Sequence, residues 1–183
     1  MRKVLYLLGQ LNDRDCEWLV KVGRLHRVDK GESLIVEGKP VDAIYIVIDG
    51  SLAVSARKMG VIAQIGSGEL VGEMSLVDSR PASASVSAVS GSAMLRVPRD
   101  VLLAKMEEDV AFSARLHRAI AIFLADRMRS TIERMGYGEN APLDLDEGEE
   151  TLGEIDMEVL DRVHLAGARF DRVFKSLLNQ GAR

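Results

Sequence analysis

The chain has 183 residues, 47% of them hydrophobic and 28% charged, and a formal net charge of −4. That length fits one domain with an appendage, and that apolar share supports a sizeable core. The acidic balance argues against a dominant nucleic-acid-binding surface. A single cysteine, Cys16, excludes an intrachain disulfide and a cysteine-rich metal site, and fits a reducing, cytoplasmic setting. No run approaches the roughly 18 consecutive apolar residues of a membrane span. The basic start Met1-Arg2-Lys3 leads into an apolar run too short for a secretory signal.

Val4 to Val22 reads as helical, with Leu5, Leu8, Leu11 and Leu19 in helical spacing and Asn12-Asp13 as a helix start. From Arg27 the texture changes to short β-rich runs: Ser33 to Val36, Ala43 to Ile48, Ser51 to Ser55 and Gly60 to Ile65. Their separators are glycine-bearing turns, of which Asp49-Gly50 is a hairpin signal. Ser83 to Ala88 alternates serine with alanine or valine, as a half-buried strand does, and Ala93 to Val97 follows before Pro98. Several short strands at this spacing predict a sandwich or barrel-like core, not a parallel sheet.

Two helices are expected next, a short one from Asp100 to Met106 and a long one from Asp109 to Met135. Between Ala111 and Ala125 the long helix is apolar nearly all round, which calls for two partners. Arg127, Arg129 and Arg134 suit the negative end of its dipole. Residues 137–151 read as an acidic linker carrying Asp144, Asp146, Glu147, Glu149 and Glu150. Residues 152–183 read as a C-terminal helix, with Val159, Ala166 and Val173 in one seven-residue row and Val163, Phe170 and Leu177 in another. Such a seam docks on the β-core, on a copy of itself or on another protein.

The stretch from Gly68 to Val86 concentrates the chemistry. Around Gly72 it turns tightly into a short apolar helix, Met74 to Val77, whose start presents unpaired N–H groups to an anion. Gly72 permits close approach to the backbone. Glu73 can accept hydrogen bonds from sugar hydroxyls, and Arg80 offers a planar cation suited to phosphate. The combination points to a small phosphorylated sugar.

This stretch resembles the phosphate-binding cassette of the cyclic-nucleotide-binding domain family, which includes catabolite-activator and FNR-type regulators. Gly72-Glu73-Met74-Ser75-Leu76 matches the first half of the family pattern, and Ser83-Ala84-Ser85-Val86 matches its end. Gly31-Glu32, Glu37-Gly38, Ile44-Tyr45-Ile46-Val47 and Asp49-Gly50 match its recurrent turns and strands, so the resemblance spans about residues 5 to 135. It implies a mainly β fold with flanking helices (α+β): an eight-stranded β-roll over residues 27–98 within a domain of residues 1–136, with an N-terminal helix, the cassette and a long C-terminal helix. It further implies that Glu73 holds the ribose 2′-hydroxyl, while the backbone at Met74 and Ser75, with Ser83, holds the cyclic phosphate. Counted from Gly72 without a gap, the family's phosphate-binding arginine falls on Ala82, and Arg80 stands two residues earlier as the substitute cation.

The expected function is a non-catalytic regulator that binds cAMP, cGMP or a related phosphorylated ligand and signals through its C-terminal helices. A homodimer through residues 109–135 and a protein partner at the C-terminal helix are expected as well. A different class is a degenerate β-roll serving as an interaction module without ligand, which Ala82 favours. A DNA-binding regulator is the third reading, opposed by the short chain beyond Gly136. No catalytic or metal site is expected. Ser83, Ser85 and Ser87 follow strand alternation and lack a Gly-x-Ser-x-Gly elbow, and His26, His117 and His164 are scattered.

Overall fold

The computed structural model describes residues 9–136 and, beyond them, Arg169, Arg172 and Lys175. An N-terminal helix α1 (Asp13–Val22) precedes strands β1 (Arg24–Val28), β2 (Ser33–Ile35), β3 (Ala43–Asp49), β4 (Leu52–Ala56), β5 (Gly60–Ile65) and β6 (Leu70–Val71). A four-residue helix α2 (Met74–Val77) leads to β7 (Ser85–Ala88) and β8 (Ser92–Pro98). Helices α3 (Arg99–Glu108) and α4 (Val110–Gly136) follow. The acidic linker and most of the expected C-terminal helix lie outside the described residues, although Arg169, Arg172 and Lys175 are helical.

The strands form two antiparallel four-stranded sheets, in the orders β1-β8-β3-β6 and β2-β7-β4-β5. Strand β3 explains how they are held. Ile44, Ile46 and Ile48 face a core shared with α1, α3 and α4, whereas Ala43, Tyr45 and Val47 face the second sheet. Residues alternate between faces along a strand, and both faces here are apolar, so the strand is buried on both sides. The inner core is aliphatic (Val28, Ile35, Leu52, Ile65, Val86 and Met94 among others), as the scarcity of aromatic residues requires.

Three strand expectations change. Asp49-Gly50 does not make a hairpin: β3 pairs with β6 and β8, β4 pairs with β5 and β7, and the turn is a corner between sheets. Gly50 has φ +97, and a Cβ there would fall 2.7 Å from the Ser92 backbone, so the corner takes only glycine. The hairpin is β4–β5, closed by the Met59 N–H donating to the Ala56 carbonyl at 2.9 Å. Strands β1 and β6 went unread, β1 because Arg24, His26 and Arg27 interrupt its apolar pattern and β6 because it has only Leu70 and Val71.

The helices are fixed to one another by polar contacts as well as by packing. Asn12 caps α1 in a reciprocal box, its side chain accepting from the Asp15 N–H at 2.9 Å while Asp15 accepts from the Asn12 N–H at 2.9 Å. Asp15 is 5% exposed, and Arg115 of α4 meets both of its oxygens at 2.7 and 2.8 Å. Phe112, fully buried, packs edge-on against Trp18 with ring centroids 5.4 Å apart. One face of α4 (Phe112, Leu116, Ala119, Ile120, Phe123) is thus committed to the core.

Asp15 serves as cap and counter-ion together, so its removal combines a lost cap of about 1 kcal/mol with lost charged hydrogen bonds of about 1.5–3 kcal/mol. Arg115 stays partly solvated, which trims the second figure. Asp15→Ala is expected to lower unfolding free energy by about 2–3 kcal/mol in urea titration, with Arg115→Ala costing less and adding little on the Asp15→Ala background.

Candidate functional site

Strand β6 delivers the chain to Gly72, whose φ is +89. A Cβ there would lie 2.8 Å from the Ala43 carbonyl oxygen, so both conformation and space demand glycine. The tight turn lets α2 start at once. The Ser75 N–H and hydroxyl both donate to the Gly72 carbonyl, at 3.1 and 2.7 Å, and the Leu76 N–H donates to the Glu73 carbonyl at 3.0 Å. Arg99, at the start of α3, donates from Nε to the Ser75 carbonyl at 2.8 Å and ties α2 to the helices. Leu76 points into the core, while Met74 and Val77 are 51% and 59% exposed.

Glu73 is 2% exposed. A carboxylate so placed needs a cation, because desolvation penalises its charge. Arg127 of α4 supplies it: one guanidinium nitrogen lies 2.8 Å from Glu73 Oε1 and another donates to the Leu70 carbonyl at 2.9 Å. The guanidinium also lies 4.2 Å from the centroid of the Phe123 ring, one helical turn earlier. Burial pushes the Glu73 carboxyl above its ordinary value; Arg127 opposes that shift and Glu69 adds to it.

Gly72, Glu73, Met74 and Ser75 are therefore gathered at one joint between β6 and α2. The second half of the cassette is arranged otherwise. The Arg80 side chain is 85% exposed and turned onto Asp78, with Nε at 2.8 Å and a terminal nitrogen at 2.7 Å. Ala82 is held by its backbone: its N–H donates to the Lys39 carbonyl at 2.9 Å and its carbonyl accepts from the Gly38 N–H at 2.8 Å. Its half-buried methyl group packs against the inner core. Ser83 is exposed at the approach to β7.

Arg127 and Arg99 were not singled out from the sequence as site residues. A signal for Arg127 was present, since 112, 116, 120, 123 and 127 follow the spacing of the buried stripe. An arginine at a core position announces a buried acceptor. Reading it only as a complement to the helix dipole missed that contact. Among the described residues no three His, Cys, Asp or Glu side chains converge as a metal site, and no helix is long and apolar enough to cross a membrane.

The family model of the cyclic nucleotide-binding domain matches residues 25–109, which contain both sheets and the cassette. Lysophospholipase nte1 of Neosartorya fischeri is 28% identical over 122 residues, covering 64% of this chain but 7% of that enzyme. The chain thus spans a small fraction of this curated relative's length. Among solved structures, a cyclic nucleotide-binding domain from Methylobacillus flagellatus aligns with a TM-score of 0.66 at 20% identity, covering 77% of this chain and 85% of that one. The catabolite activator protein of Thermus thermophilus aligns at 0.59 and 23% identity, covering 96% and 88% respectively. These likenesses establish the β-roll fold. Residues 25–109 thus carry the match to the cyclic nucleotide-binding domain family, and the fold around them is that of its β-roll.

Proposed function

We propose that this domain is a non-catalytic regulatory module that binds a cyclic nucleotide, cAMP or cGMP, or a related phosphorylated ligand, at the β6–α2 joint and passes occupancy to α4. The observation that carries this reading is the Glu73–Arg127 pair, a buried carboxylate at the β6–α2 joint held directly by the long helix. In this mechanism the ribose hydroxyls take up Glu73, Gly72 allows close approach, and the backbone at Met74 and Ser75 with the Ser83 hydroxyl receives the phosphate. Arg127, freed from part of its pairing, supplies positive charge that Ala82 lacks, with Arg80 a second cation once it leaves Asp78. Because the ligand and Arg127 share one carboxylate, binding changes what holds α4, and the ligand shifts the helix only by its difference in affinity for the two arrangements.

A homodimer through α4 accompanies this reading. Ala121, Ala125, Met128 and Ile132 recur at helical spacing on the side away from the core, and Met128 and Ile132 are 62% and 58% exposed. The kinship with a lysophospholipase supports a setting in which such a module acts beside a catalytic domain. The competing reading, an interaction module without ligand, is favoured by the uncharged Ala82 methyl packed against the apolar core and by the outward Arg80.

Calorimetric titration with cAMP and cGMP separates the two. Micromolar binding that weakens about tenfold to a hundredfold in Glu73→Ala, the worth of one charge-assisted contact, supports the sensor; absence of heat with both nucleotides overturns it in favour of the module. Arg127→Ala is expected to change affinity as well, and Arg80→Ala with unchanged affinity would remove Arg80 from the site.

The raised carboxyl of Glu73 gives a pH signature in the unliganded protein. Above the ordinary carboxylate value the unfolded chain ionises first, so between that value and the raised native one the folded state holds more protons and loses stability as pH climbs. The stability of the wild type relative to Glu73→Gln is therefore expected to be greatest near pH 4 and to decline as pH rises through that window. Thermal melts of the two proteins at matched ionic strength measure the difference; a constant gap from pH 4 to 7 would contradict the assignment.

A further inference from the structure

The first turn of α1 receives a second arginine, from the far end of the chain. Arg169 donates from Nε to Asp13 Oδ1 at 2.6 Å and from a terminal nitrogen to the Leu11 carbonyl at 2.7 Å, while Arg172 reaches Asp13 Oδ2 at 3.4 Å. The Arg169 side chain is 15% exposed, and Asp13, beside it, has its carboxyl held below the ordinary value chiefly by that hydrogen bond. Arg169, Arg172 and Lys175 are helical and three residues apart, which sets them along one face. The Leu11 carbonyl sits just ahead of the α1 cap, where a guanidinium satisfies it without competing with the Asn12–Asp15 box.

We infer that Arg169, with Arg172 beside it, straps the first turn of α1 from within the same molecule. Two features make it more than a surface ion pair. One arm of Arg169 holds a backbone carbonyl, so the contact survives the loss of Asp13 in part and stays specific in register. The turn it grips is also the one that anchors α4, because Asp15 beside Asp13 carries Arg115. The same Leu11 lines a small apolar cavity of about 20 Å³ with Leu76 of α2, Leu70 of β6 and Leu116 of α4. The strap thus grips the backbone at a residue whose side chain meets the cassette helix across that void, and packing there has room to shift. This arrangement stands whether or not the cassette takes a nucleotide.

Hydrogen exchange read by mass spectrometry on the full chain tests it, using the peptide that spans Arg169 to Lys175. Arg169→Ala, which leaves the sequence of α1 unchanged, is expected to speed exchange in that peptide about tenfold, the loss of a charged hydrogen bond from a local opening equilibrium. Asp13→Ala is expected to speed it less, with exchange in β3 unchanged in both variants. Raising salt to 1 M is expected to act in the same direction. Native-rate exchange in Arg169→Ala overturns the strap, as does protection that grows with protein concentration, since a second copy would then be the occupant of the α1 turn.

Discussion

A carboxylate that is 2% exposed cannot remain charged on its own, and the cation for Glu73 comes from Arg127, 54 residues further along the chain. That single requirement organises much of the molecule. It obliges α4 to run back across β6, where Arg127 also takes the Leu70 carbonyl, and it sets Phe123 beneath the guanidinium. Pairs of this kind add little to net stability compared with an apolar substitute, yet breaking one partner is costly, commonly about 3–5 kcal/mol. Their value lies in fixing one arrangement. Here the arrangement fixed is the position of a long helix relative to a four-residue helix that the sheets alone would leave poorly constrained.

Arginine–carboxylate contacts recur at three places where a helix meets another part of the chain. Arg115 grips Asp15 near the start of α4, Arg127 grips Glu73 some three turns later, and Arg169 grips Asp13 from the C-terminal side. Aliphatic packing supplies bulk cohesion, but valine, leucine and isoleucine surfaces tolerate sliding, whereas a forked guanidinium holds register. A chain with few aromatic residues has few large shapes with which to lock its helices. Bidentate and backbone-directed arginines do that work instead.

Legibility in the sequence follows the range of the causes. The capped start of α1, the boundaries of α3 and α4 and the interior strands arise from local periodicity and capping, and these were readable to within a few residues. The Gly72 turn was readable because its demand for positive φ is written in one residue. Sheet partnership was not: Asp49-Gly50 has hairpin chemistry, yet the two flanking strands find other neighbours, since partner choice depends on which faces must be covered across the whole roll. Arg169 was illegible for the same reason, and so was the identity of the acceptor of Arg127: its place on the buried stripe announces that an acceptor exists, but nothing near either residue in sequence says which one.

The site divides along the same line. Its first half, Gly72 to Leu76, is set by short-range constraints and keeps the glycine turn and short helix that the sequence predicts. Its second half is decided by what surrounds it. At Ala82 the backbone is bound into the Gly38–Lys39 turn and the half-buried methyl group packs on the edge of the apolar inner core, so this position brings no charge to the site. Arg80, two residues earlier and ahead of Pro81, has its backbone N–H and its guanidinium both committed to Asp78. On the proposed reading, the positive charge that a bound phosphate meets comes from Arg80 after it gives up Asp78, or from Arg127 after it gives up part of Glu73. On that reading the second exchange is the one that moves a helix, so the alanine at position 82 and the arginine on α4 belong together: recognition of the anion and displacement of α4 would fall to the same side chain.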